Sequence, residues 1–247
     1  MCDSPGCLHV ESTSRRTFLR SSTALALALT ASGLSGFVAS AAQAAGLPKP
    51  GNAIAPDKAI ERLIQGNQRY VSGKTRNHDL VHERRVLVSG QNPYAAILGC
   101  ADSRVSPEYA FDSGLGDLFV TRVAGNFVND DILGSLEYSV AVLGVPVILV
   151  LGHEKCGAVD AAVKAVTHGE KFPGQIQSLV AAITPAVQRL DPQKPGLLEA
   201  AIEQNVRDSM ADLASTSDII AKAVQARKLK IIGGVYRLKT GKVSLIS

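Results

Sequence analysis

The chain has 247 residues, 46% hydrophobic and 19% charged, which is enough to bury a core and too apolar for a disordered protein. Its 26 basic and 22 acidic side chains leave a net charge of +4 with no dense basic run, and with no Trp and only 4% aromatics there is no base-stacking platform, so nucleic acid is not expected as a partner. Four cysteines are too few for a disulfide scaffold at this length and enough for a metal site.

In chain order, Ser14-Arg15-Arg16-Thr17-Phe18-Leu19-Arg20 comes first, then an Ala/Leu/Ser-rich stretch over 21–41, then Ala42-Gln43-Ala44. A basic start, a modestly apolar middle and a small-x-small end, in that order, predict a secretory signal. The paired arginines before Phe-Leu resemble the bacterial twin-arginine export signal. That resemblance implies cleavage of 1–44 after Ala44, a periplasmic or otherwise exported protein, and no stable membrane anchor after cleavage. A retained anchor is the competing reading, because the stretch is close to the roughly 20 residues that span a bilayer; its Ala, Ser, Thr and Gly make it weakly apolar. Cleavage removes Cys2 and Cys7 and leaves Cys100 and Cys156.

Residues 45–56, punctuated by Pro and Gly, read as a linker or extended arm. From 57 to 247 the composition is uniform and predicts one domain. Ile60, Leu63, Ile64, Tyr70 and Val71 recur at helical spacing and are closed by Ser72-Gly73. Such an isolated amphipathic helix must bury its stripe in its own core or on a second subunit. The polar stretch that follows carries His78 and His82, expected as exposed loop or helix residues, and Lys49 and Lys58 read as solvated surface. Residues 94–99, 117–123 and 146–151 are predicted strands, the last apolar on both faces as a covered parallel strand should be. A helix over 130–143, capped by Asp130 or Asp131, lies between the second and third. Helical periodicity returns over 157–166, 175–190 and 197–226, and residues 230–238 and 243–246 around Thr240-Gly241 form a hairpin. Strand and helix alternate, which predicts an α/β fold with a central, mainly parallel β-sheet flanked by helices.

Cys100-Ala101-Asp102-Ser103-Arg104 follows the first strand and Gly152-His153-Glu154-Lys155-Cys156-Gly157 follows the third. Both lie at carboxyl ends of parallel strands, where open α/β sheets place ligands. Two thiolates and an imidazole suit tetrahedral zinc and leave one position open. On residue chemistry alone a Cys-His nucleophile and a Cys100–Cys156 disulfide stay open beside zinc.

Cys-x-Asp-Ser-Arg with a later His-x-x-Cys-Gly resembles the β-class carbonic anhydrase signature, and the likeness runs from Asp57 to the final strands. It implies one zinc ion per subunit on Cys100, His153 and Cys156, with Asp102 and Arg104 as the catalytic dyad. It also implies reversible hydration of carbon dioxide to bicarbonate and a proton by attack of zinc-bound hydroxide. Gln91, Phe119, Tyr138 and Gly157 match positions that shape the substrate pocket, partly from the neighbouring subunit. The N-terminal helix is then expected to pack on that neighbour in a homodimer or dimer of dimers. Two positions depart from the family pattern. Glu154 stands where Thr or Ser is usual and is expected to face solvent. Ile97 stands where one branch has the Trp of a bicarbonate-inhibition site, so that site is not expected. If the Asp102–Arg104 pair breaks, the carboxylate is placed to fill the open metal position itself and shut the site. Hydrolysis of carbon disulfide or carbonyl sulfide on the same fold, and a non-catalytic zinc or redox module, are the alternatives.

Overall fold

The computed structural model describes residues 47–246. The export-signal reading of 1–44, with Cys2 and Cys7, lies outside the described residues. Among the described residues no helix is long and apolar enough to cross a membrane.

Five strands form one sheet in the order β2-β1-β3-β4-β5: β1 (Ala95–Gly99), β2 (Leu118–Arg122), β3 (Val147–His153), β4 (Lys230–Tyr236) and β5 (Val243–Ile246). The first four are mutually parallel, and β5 returns antiparallel to β4 as the expected hairpin. Strand periodicity of two divides the apolar residues between the faces. Ile97, Val147, Leu149 and Leu151 point to one side, where Ala59 and Leu63 of α1 (Pro56–Val71) and Ala110 of α3 (Pro107–Ala110) cover them. Ala96, Leu98, Ile148 and Val150 point to the other, against Leu136 of α4 (Asp130–Ala141), Val206 and Leu213 of α7 (Leu197–Thr216) and Ile220 of α8 (Asp218–Gln225). Full burial of each large aliphatic side chain contributes about 2 kcal/mol, which makes this double-sided contact the main support of the sheet. A third cluster, between α5 (Gly157–His168), α6 (Ile176–Gln188) and α7, reaches the carboxyl end of the sheet and includes Cys100 and Cys156.

α1 thus buries its stripe in its own chain. Its close approach needs Gly66, where a Cβ would lie 1.9 Å from the Phe111 carbonyl oxygen. α7 comes equally close to β3 and β4 because Gly152 and Gly233 lack side chains: a Cβ at either would stand 2.7 or 2.8 Å from the methyls of Val206.

Several elements differ from the sequence expectation. The helix expected over 197–226 breaks at Ser217, whose extended backbone (φ −117°, ψ 112°) and side-chain acceptance from Ile220 N at 3.2 Å start α8. The apolar period runs on through the break and conceals it. Asn129, rather than Asp130 or Asp131, caps α4 by accepting from Ile132 N at 2.9 Å. The two acids fall in the first turn instead, where they favour the positive helix end. A short helix, α2 (Leu80–Val86), occupies part of the polar stretch.

The start of the domain is not a free arm. Residues Pro50–Asn52 form a 3₁₀ turn, and Lys49, expected in solvent, sits with its ammonium 2.8 Å from Asp117 Oδ1 and 3.6 Å from Glu83. Asp117 is buried at the foot of β2 and needs cations, which Lys49 and Arg62 (3.3 Å) supply.

Candidate metal centre

Parallel pairing builds the centre. Gly99 ends β1 opposite Leu151 of β3, so the next residue, Cys100, arrives beside the end of β3, where His153 is the last strand residue rather than part of the following turn. Lys155, at φ 53°, turns the chain left-handed and returns Cys156 to the same point as the residue before α5. The two sulfurs and a ring nitrogen lie within 4.8 Å of one another, all on buried residues.

His153 Nδ1 donates to the Glu154 carbonyl at 2.9 Å, which fixes the ring and leaves Nε2 as the lone-pair atom. That Nε2 is buried with no hydrogen-bond partner. A buried acceptor with no partner, beside two thiols, is what a bound cation would satisfy. The sulfurs are 3.9 Å apart. Two zinc–sulfur bonds of about 2.3 Å at the tetrahedral angle would separate them by about 3.8 Å, so both donor chemistry and spacing fit zinc. A disulfide needs about 2.05 Å, and both cysteines are free. The hydrogen bond between the two thiols pulls Cys100 below the ordinary thiol range and pushes Cys156 above it. Binding a divalent cation requires both to be thiolates and releases their protons. Gly125 N also donates to Cys100 Sγ, at 3.3 Å.

Asp102 stands at the edge of this cluster, Oδ2 3.8 Å from His153 Nε2. Arg104 grips it with Nε to Oδ1 at 2.9 Å and Nη2 to Oδ2 at 2.7 Å. Those hydrogen bonds hold the Asp102 carboxyl well below the usual carboxylate range.

The loop carrying Cys100 and Asp102 has a support that the sequence did not reveal. Arg122, the last residue of β2, donates to the carbonyls of Cys100 (2.8 Å), Asp102 (2.7 Å) and Val105 (2.9 Å). The only available signal was a basic residue ending a strand, and it gains meaning once β2 is known to lie beside β1.

Other expected residues fall in different places. Gly157 follows Cys156, and open space lies where its Cβ would be. Gln91 precedes β1 at the opposite end of the strand from Cys100, and five strand residues span about 17 Å. Phe119 pairs with Ala96 on the outer strand, and its ring lies 6.3 Å from that of Tyr138 on α4, which is 48% exposed. One chain therefore does not bring Gln91, Phe119 or Tyr138 to the cluster. Glu154 is half-buried rather than free in solvent: it accepts from Leu238 N at 2.9 Å and Arg237 Nη1 at 3.4 Å, which ties its charge to the turn after β4. His78 is likewise no free loop residue, since its ring lies between Glu83 (3.4 Å) and Asp112 (3.5 Å), while His82 is exposed. Ile97 is fully buried.

A family model described as carbonic anhydrase matches residues 95–243. Carbonic anhydrase 2 of Mycobacterium tuberculosis is 40% identical over 193 residues, covering 77% of this chain and 92% of that protein. Carbonic anhydrase of Mycolicibacterium smegmatis is 41% identical over 195 residues, 78% and 94% of the two chains. The solved structure of the beta-carbonic anhydrase CcaA shares the fold at a TM-score of 0.59 and 29% identity, covering 76% of this chain and 95% of that one.

Proposed function

The chain belongs to the carbonic anhydrase family, in its β-class, and from that premise we propose that Cys100, His153 and Cys156 hold one zinc ion per subunit while Asp102 and Arg104 prepare the attacking water. The reaction is the reversible hydration of carbon dioxide to bicarbonate and a proton. The observation that carries this reading is the convergence of two sulfurs 3.9 Å apart and an unpartnered imidazole nitrogen beside a carboxylate clamped by arginine. Bound there, zinc supplies the Lewis acidity that makes water a nucleophile near neutral pH.

The protein groups do the orienting. Asp102, ionised and fixed by Arg104, accepts a hydrogen bond from the attacking water and turns a lone pair toward carbon dioxide. The Nδ1 bond to the Glu154 carbonyl keeps His153 Nε2 aimed inward. Gly157 leaves room for a small linear substrate beside Cys156. Nothing at the site favours carbon disulfide or carbonyl sulfide, and the sulfur spacing opposes a redox disulfide. The deciding experiment is stopped-flow hydration of carbon dioxide by chelated and zinc-restored protein. Turnover that returns with zinc supports the reading, and a zinc-loaded protein without turnover overturns it.

Assembly and location belong to the same proposal. The distance of Gln91, Phe119 and Tyr138 from the cluster in one chain supports a homodimer, or dimer of dimers, in which a neighbour completes the pocket and meets the outer side of α1. Arg15-Arg16 and Ala42-Gln43-Ala44 support twin-arginine export to the periplasm with cleavage after Ala44. N-terminal sequencing of the exported protein tests the second, and a mature chain starting before Ser21 would refute it.

A further inference from the structure

Two polar side chains stand on the face that α7 buries: Asn205 and Ser209, one turn apart and 3% and 2% exposed. A buried amide on an apolar helix face is costly unless it is bonded. Asn205 Nδ2 donates to the Gly125 carbonyl at 2.8 Å, and Ser209 Oγ to the Asn126 carbonyl at 3.2 Å. Gly125 in turn donates its N–H to Cys100 Sγ at 3.3 Å. Its backbone is left-handed (φ +88°), and a Cβ there would lie 2.4 Å from Ile183 Cδ1, so this pose is open to glycine alone. α7 itself packs closely on the sheet here, with a methyl of Val206 2.7 Å from where a Cβ would stand on Gly152, the residue before His153.

We propose that Asn205 is a positioning residue of the metal centre: it pins Gly125 by the carbonyl, keeps its N–H on the Cys100 sulfur, and thereby sets the donor strength of that ligand. The proposal rests on the reading of Cys100 as a metal ligand. An N–H on a thiolate stabilises the sulfur lone pairs and lessens the charge they give to a metal. Two anionic thiolates on one zinc already weaken its Lewis acidity, so withdrawing charge from either favours the reaction.

Cobalt(II) in place of zinc gives a direct readout, the energy of the thiolate-to-cobalt charge-transfer band. In Asn205→Ala this band should move to lower energy, because the sulfur that loses its N–H donor holds its lone pairs less tightly. Ser209→Ala loosens the same helix face but touches Asn126, and should leave the band in place. An unmoved band in folded Asn205→Ala overturns the proposal, as does an equal shift in Ser209→Ala. If Asn205→Ala does not fold, Asn205→Ser is read in the same way; if neither folds, the residue serves the fold and the positioning role is overturned. Wild-type protein that binds neither cobalt nor zinc would instead remove the metal reading itself, an outcome separate from the other three.

Discussion

Asp102 and Arg104 meet in a two-pronged pair, and the Arg104 backbone N–H adds a third bond to Asp102 Oδ1 at 2.9 Å. The carboxylate is thus charged and fixed in direction, yet belongs to none of the three ligand positions. Asp102→Asn removes the charge, and Arg104→Ala frees the carboxylate to turn. Each variant should keep its zinc and lose carbon dioxide hydration by about 10²-fold or more, the usual scale for a positioned proton-accepting group. Metal analysis beside stopped-flow rates checks both halves; wild-type turnover in either variant would show that the pair is structural.

Arg122 gathers three carbonyls of the loop between Cys100 and Val105, all of which lose their donor in Arg122→Leu. Hydrogen bonds from a charged donor contribute about 1.5–3 kcal/mol each, and partial rehydration of this loop should reduce the total cost to about 3 kcal/mol. Turnover should fall further than stability alone explains, because Asp102 loses its fixed backbone. Arg122→Lys can reach one carbonyl and should recover stability only in part. Denaturant midpoints and kcat of the two variants test this, and equal kcat in Leu, Lys and wild-type chains would rule out a positioning role.

The parts of the centre that were legible in the sequence are those carried by side-chain type near strand ends. Apolar runs placed the ends of β1 and β3, and Cys100, His153 and Cys156 stood just there. The supports were not legible because their partners are backbone carbonyls or distant residues. Arg122 acts on carbonyls 17 to 22 positions away, and Asn205 on one 80 positions away. No side-chain pattern marks a carbonyl that needs a donor. The break at Ser217 was hidden for a different reason: Leu213 and Ile220 both bury against the same face, so the apolar period crosses a cap without faltering.

Removal of the metal should reveal the thiols. With Cys100 and Cys156 free and buried in the centre, the chelated full-length chain should titrate four thiols on unfolding under non-reducing conditions, Cys2 and Cys7 included, and zinc should protect two of them. Zinc-loaded protein should also unfold at higher temperature, with a gain that grows with free zinc. Thermal scans with and without chelator, paired with thiol counts, measure this. Identical melting and thiol exposure in both states would contradict metal binding at the cluster.

Far from the centre, Asp117 ties the start of the domain to the foot of β2, and its titration gives the acid side of stability a specific origin. Burial opposes its charge, but hydrogen bonds from Lys49 and Asn52 more than offset this and hold its folded pKa below the ordinary value. A carboxyl whose folded pKa is depressed binds fewer protons folded than unfolded between the two values. Its stabilising contribution is therefore complete above the unfolded pKa of about 4 and is lost as pH falls through the lower folded value. Lys49→Met should cost about 2 kcal/mol at neutral pH, less than the 3–5 of a buried charge left alone, because Arg62 still reaches Asp117. With that cation gone the folded pKa rises toward the unfolded one, so the acid loss of stability becomes shallower and the gap to wild type narrows below about pH 4. Urea unfolding of both chains at pH 7, 5 and 3 reads the effect; a gap that stays constant across that range would show that Asp117 is not the group responsible.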